Sequence, residues 1–409
     1  MSWRRAEPEP SKWHVLMFIC MAAEAGAWYC TMQRPFNKTQ TQEVTIAPTR
    51  VSCTEEAIVR LRAYSAPWWA RNAHVQTVAA SRLSQKPVVN YQRNIWQTPD
   101  DDVLAVDEVM STCEAAVLQK TSVPIVQTEE GLSTSRAHRR PASSSVQLVL
   151  FHGLEGSSQS HYSLAFMQEA LRLNWQGSVV HFRGCGGLPN RKPRAYHSGD
   201  SAEIDWILRR FRSRHDGLLV AVGVSLGANA LLKWLGEQGE SASKLVDACA
   251  AVCAPQDLRA GAYALASGVN LMYMRYFLHS LIPNALERLQ RFPGLYDKAS
   301  VLQSRTFIAF DEYVTAPLHG FNDAEHYWAS SSCGPWLGAI RSPCLVLNPL
   351  NDPFVPAKSL RSPSGLHSSV QLAYPHDGGH VGFVQGGMPI TIDWLPKTIC
   401  QWFKETLNA

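Results

Sequence analysis

One serine in this chain stands where it could act as a nucleophile. Gly223-Val224-Ser225-Leu226-Gly227 ends an apolar run, Leu218–Val224, and is followed by a helical pattern over residues 228–236. That strand–turn–helix context is what a G-x-S-x-G elbow requires. The turn is so tight that side chains at its two glycine positions would clash, and it holds the serine hydroxyl accessible above the strand ends. The short string is frequent by chance. Its placement between a strand and a helix gives it weight.

A serine hydroxyl is a poor nucleophile until a base removes its proton, and that base needs a carboxylate to orient it. Behind such an elbow the chain order is Ser, then Asp or Glu, then His. Asp352, in Asn351-Asp352-Pro353, follows an apolar run over 344–348, and His380, in Gly378-Gly379-His380, follows one over 370–374. Both fall in loops at the carboxyl ends of strands, where sites in open α/β sheets gather. Asp377 and His376 are the rival acid and base, and the bland reading of Asp352 is a turn before Pro353. Asp377 is too near His380 along the chain to approach its ring easily. His152, His161, His181 and His197 precede the serine and so break the order, which favours structural roles for them.

Attack by a serine on an acyl group also creates an oxyanion, and a missing donor to it typically costs about 3–4 kcal/mol in the barrier. The backbone N–H of Leu226, directly after the serine, is one expected donor. The other belongs to the loop after the first buried strand, His152-Gly153-Leu154-Glu155-Gly156, where the N–H of Leu154 is the choice. The alternative is that this loop is only a tight turn.

The elements that must carry these residues alternate along the chain. Buried strands are expected at 146–152, 178–182, 218–224, 246–253, 344–348 and 370–374, with helices at 201–214 and 228–236 and a closing helix near 393–405. Such alternation implies a mostly parallel sheet covered on both faces. Residues 255–341 break the rhythm with helical patterns and large apolar side chains, Leu271, Met272, Tyr273, Met274, Tyr276 and Phe277 among them, and read as an inserted helical cap. Most of those side chains are expected to be core in any case. Residues 128–145 read as a solvated loop, with Arg136, His138, Arg139 and Arg140 close together. The expected division is an N-terminal extension over 1–50, poorly ordered, and one α/β domain over 51–409 that contains the cap.

Bulk composition bounds the function. The 409 residues are 45% hydrophobic and 18% charged, with a formal charge of +4, which gives no case for nucleic acid or an anionic membrane as partner. Ten cysteines occur without C-x-x-C pairs, so reduced thiols in a reducing compartment are the simplest expectation. The apolar stretch over 13–30 is short and interrupted by Glu24 for a spanning helix, which needs about 20 apolar residues. A signal sequence there would be preceded by Glu7, Glu9 and two prolines, against the usual pattern. A cytoplasmic location is expected; export or anchoring through 13–30 is the alternative.

Long matches in one order make the chain resemble the YheT-like branch of the α/β hydrolases, related to the animal abhydrolase-domain lipases. They begin with Pro67-Trp68-Trp69-Ala70-Arg71-Asn72-Ala73-His74-Val75-Gln76-Thr77, His152-Gly153-Leu154-Glu155-Gly156-Ser157, His181-Phe182-Arg183-Gly184-Cys185-Gly186 and Tyr196-His197-Ser198-Gly199-Asp200. They continue through residues 223–229, Phe310-Asp311, Thr315-Ala316-Pro317-Leu318-His319-Gly320-Phe321, Asn351-Asp352-Pro353-Phe354 and Gly378-Gly379-His380-Val381-Gly382-Phe383. The resemblance implies the α/β-hydrolase fold, esterase or lipase-type acyl hydrolysis, and a triad at Ser225, Asp352 and His380. Ala228 departs from the family, which commonly has a second glycine there, and residues up to about 50 and 128–145 look peculiar to this chain. The reading is a carboxylic-ester hydrolase acting on a small-molecule or lipid ester through an acyl-enzyme, without metal or organic cofactor. Its rivals are a thioesterase or acyltransferase on the same residues, a catalytically silent binding protein, and a lipase anchored through 13–30.

Overall fold

Successive residues of the central strands feed two different cores, which is why these strands are apolar along their whole length. In β3 (Val146–Phe151), Val149 and Phe151 face one layer of helices, while Leu148 and Leu150 face the other. The computed structural model describes residues 61–110 and 145–408. In chain order its main elements are α1 (Ala73–Arg82), β1 (Tyr91–Gln97), β2 (Val103–Val109), β3, α2 (His161–Arg172), β4 (Gln176–Val180) and α3 (Ser201–Arg212). Then come β5 (Leu218–Val224), α4 (Leu226–Gln238), β6 (Ala248–Val252), α5 (Leu258–Leu265), α6 (Leu271–Arg291) and α7 (Ala324–Ser331). The chain closes with β7 (Cys344–Leu347), β8 (Val370–Ala373) and α8 (Trp394–Leu407).

The strands form one sheet in the order β1-β2-β4-β3-β5-β6-β7-β8. From β4 to β8 all neighbours are parallel, while β1 pairs β2, and β2 pairs β4, antiparallel. On one face α3 and α4 bury Ile204, Leu208, Leu231 and Leu235; on the other α2 and α8 bury Phe166, Met167, Ile399 and Phe403. The mostly parallel, doubly covered sheet expected from the alternation is therefore present, in the arrangement that the resemblance implies. From β3 the chain crosses to β4 on one side and then to β5 on the other. Such a reversal opens a crevice at the carboxyl ends of the strands.

Several local expectations need correction. The sequence pattern does not mark β1 and β2, because β1 is a polar edge strand (Arg93, Asn94, Gln97) without a clean alternation, and β2 carries a buried carboxylate, Asp107. Asp107 is satisfied by Arg93, His181 and Ser158, so a residue type that argues against a strand interior sits there at little cost. Helices α1 and α2 are likewise additions to the expected set. The helix expected over 228–236 starts two residues earlier, directly after Ser225. The strand expected over 178–182 pairs only to Val180, although Phe182 stays buried. Between β6 and β7 the chain is helical, including α5, α6, α7 and a π turn at Asp311–Thr315. The stretches 1–50 and 13–30 lie outside the described residues, as does all of the 128–145 loop except Ser145. Among the described residues, no helix is long and apolar enough to cross a membrane.

Arg183, in the turn after β4, ties the edge hairpin to the sheet. Its guanidinium bonds Asp100 and Asp102 in the β1–β2 turn and Glu203 on α3, and Arg183, Asp102 and Glu203 are all nearly inaccessible. Removing one partner of a buried ion group leaves the others uncompensated. Arg183→Met is expected to lower the unfolding free energy by about 3–5 kcal/mol. Urea denaturation reads this, and an unchanged midpoint would show that the cluster carries no net stability.

Candidate active site

Ser225 sits between β5 and α4 with φ +54° and ψ −115°, a strained conformation for a residue with a side chain. The flanking glycines are required by space. A Cβ at Gly223 would lie 2.6 Å from the Ala228 Cα, and one at Gly227 would lie 2.5 Å from the Phe151 carbonyl oxygen. The Ser225 N–H donates to the Val252 carbonyl (2.8 Å), which moors the elbow to β6.

The hydroxyl meets the imidazole. His380 Nε2 lies 2.9 Å from Ser225 Oγ, and His380 Nδ1 lies 2.8 Å from Asp352 Oδ2. The other carboxylate oxygen of Asp352 accepts the N–H groups of Phe354 (2.8 Å) and Val355 (3.2 Å), so this buried acid is held from both sides. The Phe354 ring packs on the imidazole with centroids 4.3 Å apart. The rival pair is engaged elsewhere: Asp377 takes a hydrogen bond from Asn351 and contacts His376, whose side chain is 87% exposed.

The earlier histidines have other partners. His152 is fully buried, with Nδ1 at the Gly153 carbonyl and Nε2 accepting the Phe182 N–H, and burial pushes it down to about 3. His181 is bound to Asp107, and His161 to the Val381 carbonyl. His197 faces the cavity over Ser225 beside His319, with ring centroids 4.5 Å apart.

The loop after β3 lies against the elbow: a Cβ at Gly153 would be 3.2 Å from the Cβ of Ser225. The Gly153 N–H is spent on the Tyr162 hydroxyl (2.9 Å). Leu154 comes next in the chain, and both Leu154 and Leu226 line the cavity with Ser225. The N–H of Leu226 heads α4, where the first turn of a helix has no intrahelical acceptor.

Sequence reasoning missed the residues that support His380. Its N–H donates to Thr77 Oγ1 (2.9 Å), while the Gly378 N–H donates to Gln76 Oε1 (2.7 Å) and the Gly379 N–H to Asn351 Oδ1 (2.9 Å). Gln76 is buried and fixed by donating to the Ala70 carbonyl. Gly379 has φ +59°, and a Cβ there would meet the Ala73 carbonyl at 2.7 Å. The loop therefore takes its shape from the start of α1, 303 positions away in the chain for the His380–Thr77 pair. The only signal for this is the family-like stretch Pro67 to Thr77, which by itself names no role.

Cys253, also at positive φ, completes a trio whose ligand atoms lie within 4.8 Å: Cys253, Asp352 and His380. Burial keeps its thiol well above the usual range, and the imidazole already bridges Asp352 and Ser225. With both ring nitrogens of His380 taken, by Asp352 and Ser225, these groups fit a buried wall of the site better than a metal centre.

The cavity over Ser225 has a volume of about 690 Å³. Its far wall comes from the helices between β6 and β7, with Leu265, Met272, Phe277, Phe307, Phe310 and Val314 facing in.

A family model described as the alpha/beta hydrolase fold matches residues 147–387. YheT of Escherichia coli, a proposed esterase, is 37% identical over 64% of this chain and 78% of its own length. Human phospholipase ABHD3 is 22% identical over 82% of this chain and 76% of its own, and human monoacylglycerol lipase ABHD2 25% identical over 64% and 68%. The chain belongs to the α/β-hydrolase fold family, in the YheT branch that lies close to these esterases and lipases.

Thr77→Val keeps the volume but leaves the His380 N–H without an acceptor. A misplaced base costs rate more than binding, so kcat for ester turnover is expected to fall about 10- to 100-fold with a far smaller change in KM. Thr77→Ser should restore most of it. A kcat equal to wild type would remove Thr77 from the positioning of His380.

Proposed function

We propose that the protein hydrolyses carboxylic esters through a covalent acyl-enzyme on Ser225, with His380 as base and then acid and Asp352 as the group that orients it. The observation that carries this reading is the continuous hydrogen-bonded line from Asp352 through His380 to Ser225, at 2.8 and 2.9 Å. His380 Nε2 takes the hydroxyl proton as Oγ attacks the acyl carbon, and Asp352 stabilises the imidazolium. The N–H groups of Leu226 and Leu154 receive the oxyanion. His380 then protonates the leaving alcohol, and the same nitrogen activates the water that releases the acid.

The apolar wall favours an acyl chain in the cavity over a polar peptide. Esterase and lipase relatives point to the same bond, and the named activities of ABHD3 and ABHD2 support lipid esters as the substrate class. No step needs a metal or an organic cofactor.

The test combines a fluorophosphonate probe with p-nitrophenyl esters of graded acyl length and acyl-CoA. Wild type is expected to take the label and to turn over esters faster than the thioester. Ser225→Ala should lose both labelling and at least about 10³-fold in kcat. Full activity in the alanine variant would mean that another residue is the nucleophile, and preference for acyl-CoA would reassign the protein as a thioesterase.

A further inference from the structure

Of the two donors assigned to the oxyanion, only one is fixed by regular structure. The Leu226 N–H belongs to the first turn of α4, whereas the Leu154 N–H sits in a loop. Residues 153–156 form a tight turn, closed by the Gly156 N–H donating to the Gly153 carbonyl (3.0 Å) and carrying Glu155 at φ +54°. Three of its four N–H groups are spent: Gly153 on the Tyr162 hydroxyl (2.9 Å), Glu155 on the Tyr196 hydroxyl (3.0 Å) and Gly156 within the turn. Among the described residues the Leu154 N–H has no acceptor. It is the donor this turn leaves for a ligand.

What aims that donor is the peptide it belongs to. The Gly153–Leu154 bond is trans and planar, so its N–H points opposite to its carbonyl. That carbonyl takes two hydrogen bonds, one from the Gly156 N–H and one from His152 Nδ1 at 2.7 Å. The other ring nitrogen decides which atom carries the proton. His152 Nε2 accepts the Phe182 N–H (3.1 Å), so it holds a lone pair, and in the neutral ring Nδ1 is the donor. Burial pushes this imidazole down to about 3, which keeps it in that neutral form. The ring therefore bridges the end of β4 and the Gly153 carbonyl, and it is fully buried, out of a substrate's reach.

We infer that His152 is a positioning residue for the oxyanion: by holding the Gly153 carbonyl it turns the Leu154 N–H toward the cavity over Ser225. This rests on the acyl-enzyme reading, because the oxyanion is the charge that the donor meets. The position requires a donor at Nδ1 and an acceptor at Nε2 of one rigid ring.

Replacements of His152 in the full-length protein divide the two nitrogens. Asparagine places its amide nitrogen near the Nδ1 position, glutamine reaches the Nε2 position, and phenylalanine keeps a ring with neither. In His152→Phe and His152→Gln, kcat for p-nitrophenyl esters is expected to fall about 10- to 100-fold with a far smaller change in KM. His152→Asn should keep most of the wild-type kcat. A trifluoromethyl ketone reports the oxyanion without turnover: Ser225 Oγ adds to its carbonyl carbon, the hydroxyl proton passes to His380, and the ketone oxygen becomes the anion. The methyl ketone of the same chain length is the control, since its carbonyl resists that addition. The same two variants should bind the trifluoromethyl ketone more weakly, by about the factor lost in kcat/KM, and the methyl ketone as wild type does.

An unchanged kcat in His152→Phe and His152→Gln, equal losses in His152→Asn and His152→Gln, or parallel weakening of both ketones would overturn the assignment. If His152→Phe does not fold, the asparagine and glutamine variants decide by themselves. Wild type that binds the two ketones equally has no oxyanion receptor, and the inference falls. If wild type turns over no ester while its preference for the trifluoromethyl ketone depends on the His152 donor, the ester-hydrolase reading fails and the positioning role stands.

Discussion

A single backbone conformation organises this molecule. Ser225 is held at φ +54° in a turn with no room for side chains at Gly223 or Gly227, and such a conformation costs on the order of 1–3 kcal/mol. It persists because the packed elements on either side over-determine it. α4 runs straight from the serine into the core, with Leu231, Leu232, Trp234 and Leu235 fully buried, while the serine N–H is bonded to β6. The close approach of Gly227 to the Phe151 and His152 carbonyls presses the helix against the end of β3. That contact puts the 152–156 loop beside the hydroxyl. The exposed serine hydroxyl, the helix N-terminus and the neighbouring loop are consequences of one turn.

The other half of the site is built by different means. Asp352 and His380 ride on loops after β7 and β8, and loops need outside support to hold a side chain to hydrogen-bonding accuracy. Asp352 obtains it locally from the Phe354 and Val355 N–H groups. His380 obtains it from α1, through Thr77 and Gln76, and from Asn351. The serine turn is thus positioned by the core, whereas the acid and histidine loops are pinned by polar contacts, local ones at Asp352 and ones reaching back to α1 at His380.

The sequence disclosed this architecture unevenly. Ser225, Asp352 and His380 were legible because a tight turn demands glycines, and because apolar runs mark the strand ends on which all three sit. The central parallel strands were legible because both faces are buried. β1 and β2 were not, since an edge strand need bury only part of its surface and Asp107 hides among its partners. The support from Gln76 and Thr77 was illegible for another reason. Each is an ordinary polar residue in a helix, and only the fold reveals that its acceptor oxygen faces a loop about three hundred positions away.

The central claim is that the hydroxyl presented by the strained turn becomes covalently acylated. Quenching the protein during turnover of a slow-leaving ester, then digesting it and mapping adducts by mass spectrometry, tests this directly. The mass of the acyl group is expected on the peptide carrying Ser225, accumulating further when water attack is slowed. An adduct found instead at Cys253, or acid released from saturated enzyme with no acylated peptide at any quench time, would contradict it.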